Sequence, residues 1–131
     1  MGEVIVDGVR LVYESAGVGD PVVLVCGTGQ PAMSWSLFQV PALTAAGYRV
    51  VTFDNRGIPP SDVPPAPYSV PQMVGDLAGV IEALELGPSH VAGLSLGAFL
   101  TQELALARPD LVRSAVMMSP AGQHQLKMFQ V

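Results

Sequence analysis

Short apolar runs alternate with amphipathic segments along this chain. The runs at residues 22–26 and 48–53 are largely apolar, which is typical of strands buried on both faces of a parallel sheet. Two short strands at 4–6 and 11–13 are predicted on either side of a turn at Asp7-Gly8. The pattern predicts two more strands in the second half of the chain, at 90–92 and 112–118, the latter being the last.

Helical periodicity is clearest after residue 69. Ser69 is predicted to cap a helix, with Gln72 three residues later completing a capping box. The apolar positions that follow fall on one face at helical spacing: Val70, Met73, Val74, Leu77, Val80, Ile81 and Leu84. A helix is also predicted over 98–107, and a partly helical stretch over 34–46 is predicted to be interrupted by Pro41.

The alternation of strands and helices predicts an α/β fold with a mostly parallel, doubly wound sheet. The two opening strands are expected to form an antiparallel edge. No linker and no internal repeat divides the sequence, so residues 1–131 are expected to belong to a single core domain.

Charge is scarce in this chain. Charged residues make up 13% and hydrophobic residues 50%, with a net charge of −5. The low charge fits a buried parallel sheet, and also a surface that further polypeptide covers. The sequence shows no basic face for nucleic acid, no apolar stretch of membrane-spanning length and no signal-like N-terminus. We therefore expect no nucleic-acid or membrane partner, and a cytoplasmic location.

The chemistry is expected at Gly93-Leu94-Ser95-Leu96-Gly97, which matches G-x-S-x-G between a predicted strand and a predicted helix. A serine in so sharp a turn has a strained backbone, and Gly93 and Gly97 leave the room that the turn needs. The turn projects the Ser95 hydroxyl above the sheet, at a helix N-terminus whose N–H groups favour developing negative charge. We predict that Ser95 is a nucleophile.

Three segments, in this order, resemble the α/β-hydrolase family. Residues 26–29 resemble its oxyanion loop, residues 53–57 with Ser61 its D-x-R-G-x-G-x-S segment, and residues 93–97 its nucleophile elbow. The resemblance implies an α/β-hydrolase fold with Ser95 as nucleophile. It also implies an oxyanion hole formed by the backbone N–H groups of Thr28 and Leu96, with no metal and no organic cofactor.

Two residues depart from the family pattern. Cys26 stands where the family usually has a histidine, so the hydrogen bonds that support the oxyanion loop are expected to differ. Pro59 replaces the middle glycine of the arginine segment, which is expected to reshape that loop. We interpret Cys26, the one cysteine, as a small buried hydrophobe, and Asp54 with Arg56 as a structural ion pair or turn support. Trp35 and Phe38 follow the oxyanion loop in sequence, and we interpret both as packing residues.

A nucleophilic serine needs a histidine and an acid, which come later in the family's chain order. His90 lies five residues before Ser95 on the incoming strand, roughly 16 Å away at 3.3 Å per residue, so it is excluded as the base. A catalytic role for His124 is disfavoured because the family's histidine follows two further strands. Asp110 is expected on the wrong side of the sheet, and residues 119–123 contain no carboxylate.

The chain is therefore expected to be the N-terminal portion of the hydrolase core, lacking the cap and the last strands. We expect a C-terminal chain of the same hydrolase to carry the cap, the acid and the histidine. Proteolytic processing in an exposed segment after the last strand is our hypothesis for the division. The edge of the strand at 112–118 would otherwise be unpaired and prone to aggregation.

The expected activity is cleavage or transfer of an acyl group from an ester, thioester, lactone or amide, in a small-molecule or peptide substrate. Epoxide opening or C–C cleavage in natural-product biosynthesis stays open, because the elbow alone does not fix the bond attacked. A dinucleotide site is a remote alternative: residues 27–32 match G-x-G-x-x-A, and Asp54 follows 22 residues later. Pro31 and the two preceding strands weigh against it. A catalytically inactive binding module is the third class.

Overall fold

The computed structural model describes residues 1–119 and 125–130 and places their strands in one mixed sheet. The strands are β1 (Gly2–Val6), β2 (Val9–Ala16), β3 (Asp20–Val25), β4 (Tyr48–Phe53), β5 (Ser89–Leu94), β6 (Val112–Ser119) and β7 (Gln125–Gln130). Their order in the sheet is β1-β2-β4-β3-β5-β6-β7. The central strands β4, β3, β5 and β6 pair in parallel, and the pairings of β1 with β2, β2 with β4 and β6 with β7 are antiparallel. This confirms the mostly parallel sheet and the antiparallel opening pair.

Helices cover both faces of the sheet, as a doubly wound fold requires. Helix α1 (Gln39–Ala45) packs against β4 on one face, beside a smaller core that contains Trp35. Helices α2 (Val70–Ala83) and α3 (Leu96–Ala107) pack together on the other face, over the larger core. Within the described part of the chain, no helix has the length and apolar character needed to cross a membrane.

The start of α2 is fixed by the predicted capping box. The Gln72 N–H donates to Ser69 Oγ at 3.2 Å, and the Ser69 N–H donates to Gln72 Oε1 at 2.9 Å. The apolar face of α2 is buried through Met73, Leu77 and Ile81. This places the first turn of α2 at the carboxyl edge of the sheet, next to the loops that follow β3 and β4.

Two local predictions between β3 and β4 are wrong. Pro41 does not interrupt a helix: it is the third residue of α1, in the first turn, where a missing N–H costs no intrahelical bond. Phe38 does not pack: its side chain is 74% exposed, whereas Trp35, at 3%, is buried as predicted.

The edge of β6 is paired, which corrects the prediction of an open edge there. Strand β7 lies antiparallel to β6, from Ser114 opposite Gln130 to Ser119 opposite Gln125. An open edge presents a row of unpaired N–H and C=O groups, and here the backbone of β7 supplies their partners. Within the described residues, the edge of β6 therefore needs no second chain to protect it from aggregation.

Candidate active site at the strand-helix elbow

Ser95 occupies the turn between β5 and α3, in a backbone conformation that few non-glycine residues adopt. Its φ is 57° and its ψ is −117°, and such a conformation is strained in an L-residue. The side chain is exposed and does not cap the helix that it precedes. The hydroxyl is therefore presented to solvent at the helix N-terminus, as predicted.

The glycines on either side are required by close backbone packing. A methyl group at Gly93 would lie 2.0 Å from the carbonyl oxygen of Gly97. One at Gly97 would lie 2.2 Å from the carbonyl oxygen of Val25, in the neighbouring strand β3. The first contact keeps the elbow tight, and the second holds α3 against the sheet.

The loop after β3 contacts this elbow directly. A methyl group at Gly27 would lie 2.9 Å from the carbonyl oxygen of Leu94 and 3.3 Å from Ser95 Cβ. Thr28 and Gly29, the next residues, are exposed. The structure thus brings the predicted oxyanion loop to the predicted nucleophile.

Backbone hydrogen bonds show which amides are free to bind a ligand here. The Ser95 N–H donates to the carbonyl of Met118 in β6 at 2.8 Å, and the Gly27 N–H donates to Gln30 Oε1 at 2.7 Å. By contrast, the N–H groups of Thr28 and Leu96 donate to no acceptor in the described part of the chain. The two amides that the resemblance implied as oxyanion donors are therefore among those with no acceptor in the described residues.

Cys26 and Asn55 support the oxyanion loop from below. The Trp35 Nε1–H donates to Cys26 Sγ at 3.2 Å, and the amide of Asn55 donates to the Cys26 carbonyl at 3.2 Å. Burial raises the pKa of the Cys26 thiol to about 11. The thiol is therefore protonated at neutral pH, in agreement with the interpretation as a buried, unreactive residue.

Asp54 and Arg56 have the structural roles that the sequence predicted, turn support and an ion pair, but they do not pair with each other. Asp54 Oδ1 accepts from the Ala32 N–H at 2.8 Å, which anchors the far end of the oxyanion loop. Arg56 donates from Nε and Nη2 to the carboxylate of Asp76 in α2, at 2.6 and 2.9 Å. This bidentate bond raises the pKa of Arg56 above its ordinary value.

Sequence reasoning missed Gln30, Asn55 and Asp76. The role of Asp76 could have been predicted from its position in the helix. It is a carboxylate on the otherwise apolar face of α2, and a buried carboxylate needs a cationic partner. Gln30 and Asn55 carry no comparable signal. Their roles depend on where the loops approach each other.

The structure places neither His90 nor Asp110 at the elbow. His90 lies near the start of β5, where its Nδ1 shares a hydrogen bond with Ser114 Oγ. Asp110 pairs with Arg108 before β6, and this contact lowers the pKa of its carboxyl. His124 lies outside the described residues. Across residues 1–119, no histidine or acid is in position to act on Ser95.

The dinucleotide alternative loses its structural basis at the same loop. Residues 27–31 lead into a short 3₁₀ turn (Ala32–Trp35) rather than the long helix that a pyrophosphate site needs. Asp54, the expected ribose ligand, is engaged by Ala32. Within the described residues, no cluster of histidine, cysteine and acidic side chains could hold a metal ion.

A cleft of about 270 Å³ opens beside the elbow. Its walls are the oxyanion loop, the segment after β4, the start of α2 and the first residue of α3. Thr28 and Leu96, whose amides are the implied oxyanion donors, both line it. A larger groove, about 390 Å³, lies over β2 and β4 and contains neither donor. The smaller cleft is therefore the one connected to the chemistry.

We expect Gln30→Leu to lower kcat for ester hydrolysis by the predicted hydrolase of which this chain is part. The reason is that the Gln30 side chain fixes the shape of the oxyanion loop. Without the acceptor at Oε1, the Gly27 N–H is left unbonded and the loop is free to turn Thr28 away. Removing an oxyanion donor outright costs about 10²–10³ in kcat, so a misplaced donor should cost about tenfold or more, with KM nearly unchanged. Steady-state kinetics measure this.

Gln30→Glu is the matched control for that experiment, since it keeps an oxygen for the Gly27 N–H. Ser34→Ala removes only the partner of the other end of the amide, Nε2, which donates to Ser34 Oγ at 2.6 Å. Both variants should keep most of the wild-type kcat. Equal losses in all three variants would show that the loop acts only through stability.

Comparison with known proteins agrees with this geometry. The model of the alpha/beta hydrolase fold family matches residues 20–130. A putative non-heme bromoperoxidase, BpoC of Mycobacterium tuberculosis H37Rv, is 45% identical over 115 residues, which are 88% of this chain and 44% of the relative. A putative carbamate hydrolase, RutD of Azorhizobium caulinodans, is 38% identical over 109 residues, 83% of this chain and 40% of the relative.

A solved structure of a related hydrolase has the same fold over most of this chain. The crystal structure of an enol-lactonase from Burkholderia xenovorans LB400 matches with a TM-score of 0.81 and 29% identity, over 86% of this chain and 44% of that one. The chain thus spans about two-fifths of the length of the curated relatives named above. It aligns with the N-terminal part of the family fold. On the family match, the sheet order and the strand-helix elbow, this chain belongs to the α/β-hydrolase fold family.

Proposed function

We propose that Ser95 is the nucleophile of a serine hydrolase that cleaves or transfers acyl groups. Its Oγ attacks the carbonyl carbon of an ester, thioester, lactone or amide, and a base takes the hydroxyl proton. The carbonyl oxygen becomes negative and accepts from the N–H groups of Thr28 and Leu96. Collapse expels the leaving group, which receives the proton, and water then hydrolyses the acyl-serine by the reverse sequence of steps.

The observation that carries this proposal is the pair of free amides beside an exposed, strained serine. The Ser95 and Gly27 N–H groups are each bonded elsewhere, whereas those of Thr28 and Leu96 have no acceptor among residues 1–119 and 125–130. Two backbone donors next to a nucleophile would stabilise an oxyanion, at about 2.7–4 kcal/mol for one donor. The names of the enol-lactonase and the carbamate hydrolase relatives fit attack on a carbonyl carbon.

The base and the acid are proposed to come from polypeptide beyond these 131 residues. His90 lies near the far end of β5 and bonds Ser114, and the described carboxylates lie away from the elbow or have structural partners. The relatives, which are more than twice as long as the matched segment, have room for both groups. We call this chain, together with the polypeptide that carries the histidine and acid, the assembled enzyme.

Phosphonate labelling tests the nucleophile and the missing base together. A fluorophosphonate should label Ser95 slowly in the 131-residue chain and much faster in the assembled enzyme, as peptide mass spectrometry would show. Equal rates would mean that the base lies in this chain, and loss of the label in His124→Ala would then identify it. No label in either form would reject Ser95 as the nucleophile.

The BpoC relative favours a second candidate activity, since its name describes a non-heme bromoperoxidase. An acyl-serine attacked by hydrogen peroxide instead of water yields a peroxy acid and free serine. The peroxy acid then oxidises bromide to hypobromite and returns as the carboxylic acid. Bromination of a reporter that requires bromide, peroxide and acetate, and that is lost in Ser95→Ala, would support this activity. Bromination without a carboxylic acid would contradict it.

A further inference from the structure

We propose that the 270 Å³ cleft beside Thr28 and Leu96 binds an uncharged, apolar acyl group of the substrate. The proposal rests on the proposed function, since it takes Ser95 as the nucleophile. Ile58, Tyr68 and Met73 would then set the size of the group that is accepted. The leaving group would lie on the opposite flank of the elbow.

The position of the two donors determines which part of a substrate meets the cleft. Thr28 and Leu96 both line it, so an oxygen held between their N–H groups places the carbonyl carbon at the cleft's edge. One of the two substituents on that carbon must then point into the cleft. The other must point away from it.

The sheet order identifies the substituent in the cleft as the acyl group. The cleft lies on the flank of the elbow formed by β3, β4 and the start of α2. The polypeptide leaves the sheet on the other flank, where β6 and β7 lie, so a base that comes later in the chain would approach from there. The base must protonate the leaving group, so the leaving group lies on that flank and the acyl group in the cleft.

The residues that line the cleft disfavour a charged acyl group. Ile58, Tyr68, Met73 and Leu96 present mainly apolar surface. Arg56 is the one cation among the lining residues, and its side chain is only 8% exposed. Its Nε and Nη2 are bonded to the Asp76 carboxylate, and its Cζ lies 5.8 Å from the centre of the Tyr68 ring. Since this charge is already balanced by Asp76, a carboxylate on the acyl group would gain little and lose its hydration.

The volume of the cleft sets the expected size of the acyl group. An apolar cavity of about 150 Å³ holds a benzene ring, so a cleft of 270 Å³ accommodates about six to ten heavy atoms. Acyl chains of six to eight carbons, or a benzoyl group, fall in this range. Acetyl is too small to exclude water from the cleft.

p-Nitrophenyl esters test the proposal, because their leaving group is constant while the acyl group varies. The assembled enzyme should prefer hexanoate to acetate in kcat/KM, and butyrate to the charged hemisuccinate. Ile58→Trp fills the cleft and should lower the hexanoate-to-acetate ratio about tenfold or more, whereas Ile58→Ala should shift the preference to longer chains. Val63→Trp, on an exposed residue outside the cleft, should leave the ratio unchanged.

The outcomes separate this proposal from the proposed function. If the enzyme hydrolyses these esters but neither Ile58 variant changes the ratio, the acyl-group assignment is wrong and the nucleophile stands. If the Ile58 variants instead change the preference among acetate esters with different alcohols, the cleft holds the leaving group, and the assignment is again overturned. If no ester is hydrolysed and no phosphonate is bound, the proposed function falls first.

Discussion

We expect Ser95→Ala to lower kcat for ester hydrolysis by about 10⁴-fold or more in the assembled enzyme, and to abolish phosphonate labelling. The hydroxyl is the proposed attacking atom. Because it caps no helix and is exposed, its removal should leave the fold intact. Ser95→Gly should be as inactive but more stable, by about 1 kcal/mol, since glycine adopts a φ of 57° without strain. Steady-state kinetics measure the loss of kcat, and thermal unfolding measures the change in stability.

Ser36→Ala is the control for Ser95→Ala, because Ser36 is also exposed but lies outside the elbow. It should keep full activity. A Ser95→Ala enzyme with one-tenth of the wild-type kcat would show that another group attacks the substrate. A Ser95→Gly protein less stable than wild type would show that the elbow is not strained.

Asp76→Ala should reduce the free energy of unfolding by about 3–5 kcal/mol, the largest stability effect that we expect. Both members of the Arg56–Asp76 pair are buried, with 8% and 3% of their side chains exposed. Removing Asp76 leaves a guanidinium without its partner in a low-dielectric environment, where an unpaired charge is costly. Chemical denaturation of the assembled enzyme measures the loss.

A double variant and a variant of an exposed ion pair are the controls for Asp76→Ala. Replacing both members with apolar residues, Arg56→Met with Asp76→Leu, should be much less destabilising than Asp76→Ala alone, because no charge is then left unpaired. Asp110→Ala breaks an exposed pair with Arg108 and should leave the free energy of unfolding nearly unchanged. If Asp76→Ala lowered the free energy of unfolding as little as Asp110→Ala, water would have to solvate the Arg56 guanidinium. The pair would then not be buried as described.

The sequence predicted best the features that depend on local chemistry. Ser69 and Gln72 form the expected capping box because a capping box is a contact across three residues. Gly93 and Gly97 frame a strained serine because the elbow motif describes a single turn. Strand β4 has the predicted bounds, Tyr48–Phe53, because a continuous buried run ends where the polar residues begin.

Features that depend on distant contacts were harder to predict. Arg56 lies two residues from Asp54 in sequence, yet it bonds Asp76, 20 residues away, because the helix places that carboxylate beneath the loop. Phe38 follows Trp35 by three residues, but the 3₁₀ turn buries one ring and leaves the other exposed. The pairing of β7 with β6 depends on a register that no local pattern specifies.

The structure of the assembled enzyme with a phosphonate bound to Ser95 tests the central claim most directly. We predict a covalent bond from Ser95 Oγ to phosphorus. One phosphoryl oxygen should lie within about 3 Å of both the Thr28 and the Leu96 backbone nitrogens. A phosphorus atom on another residue, or a phosphoryl oxygen that neither amide contacts, would contradict it.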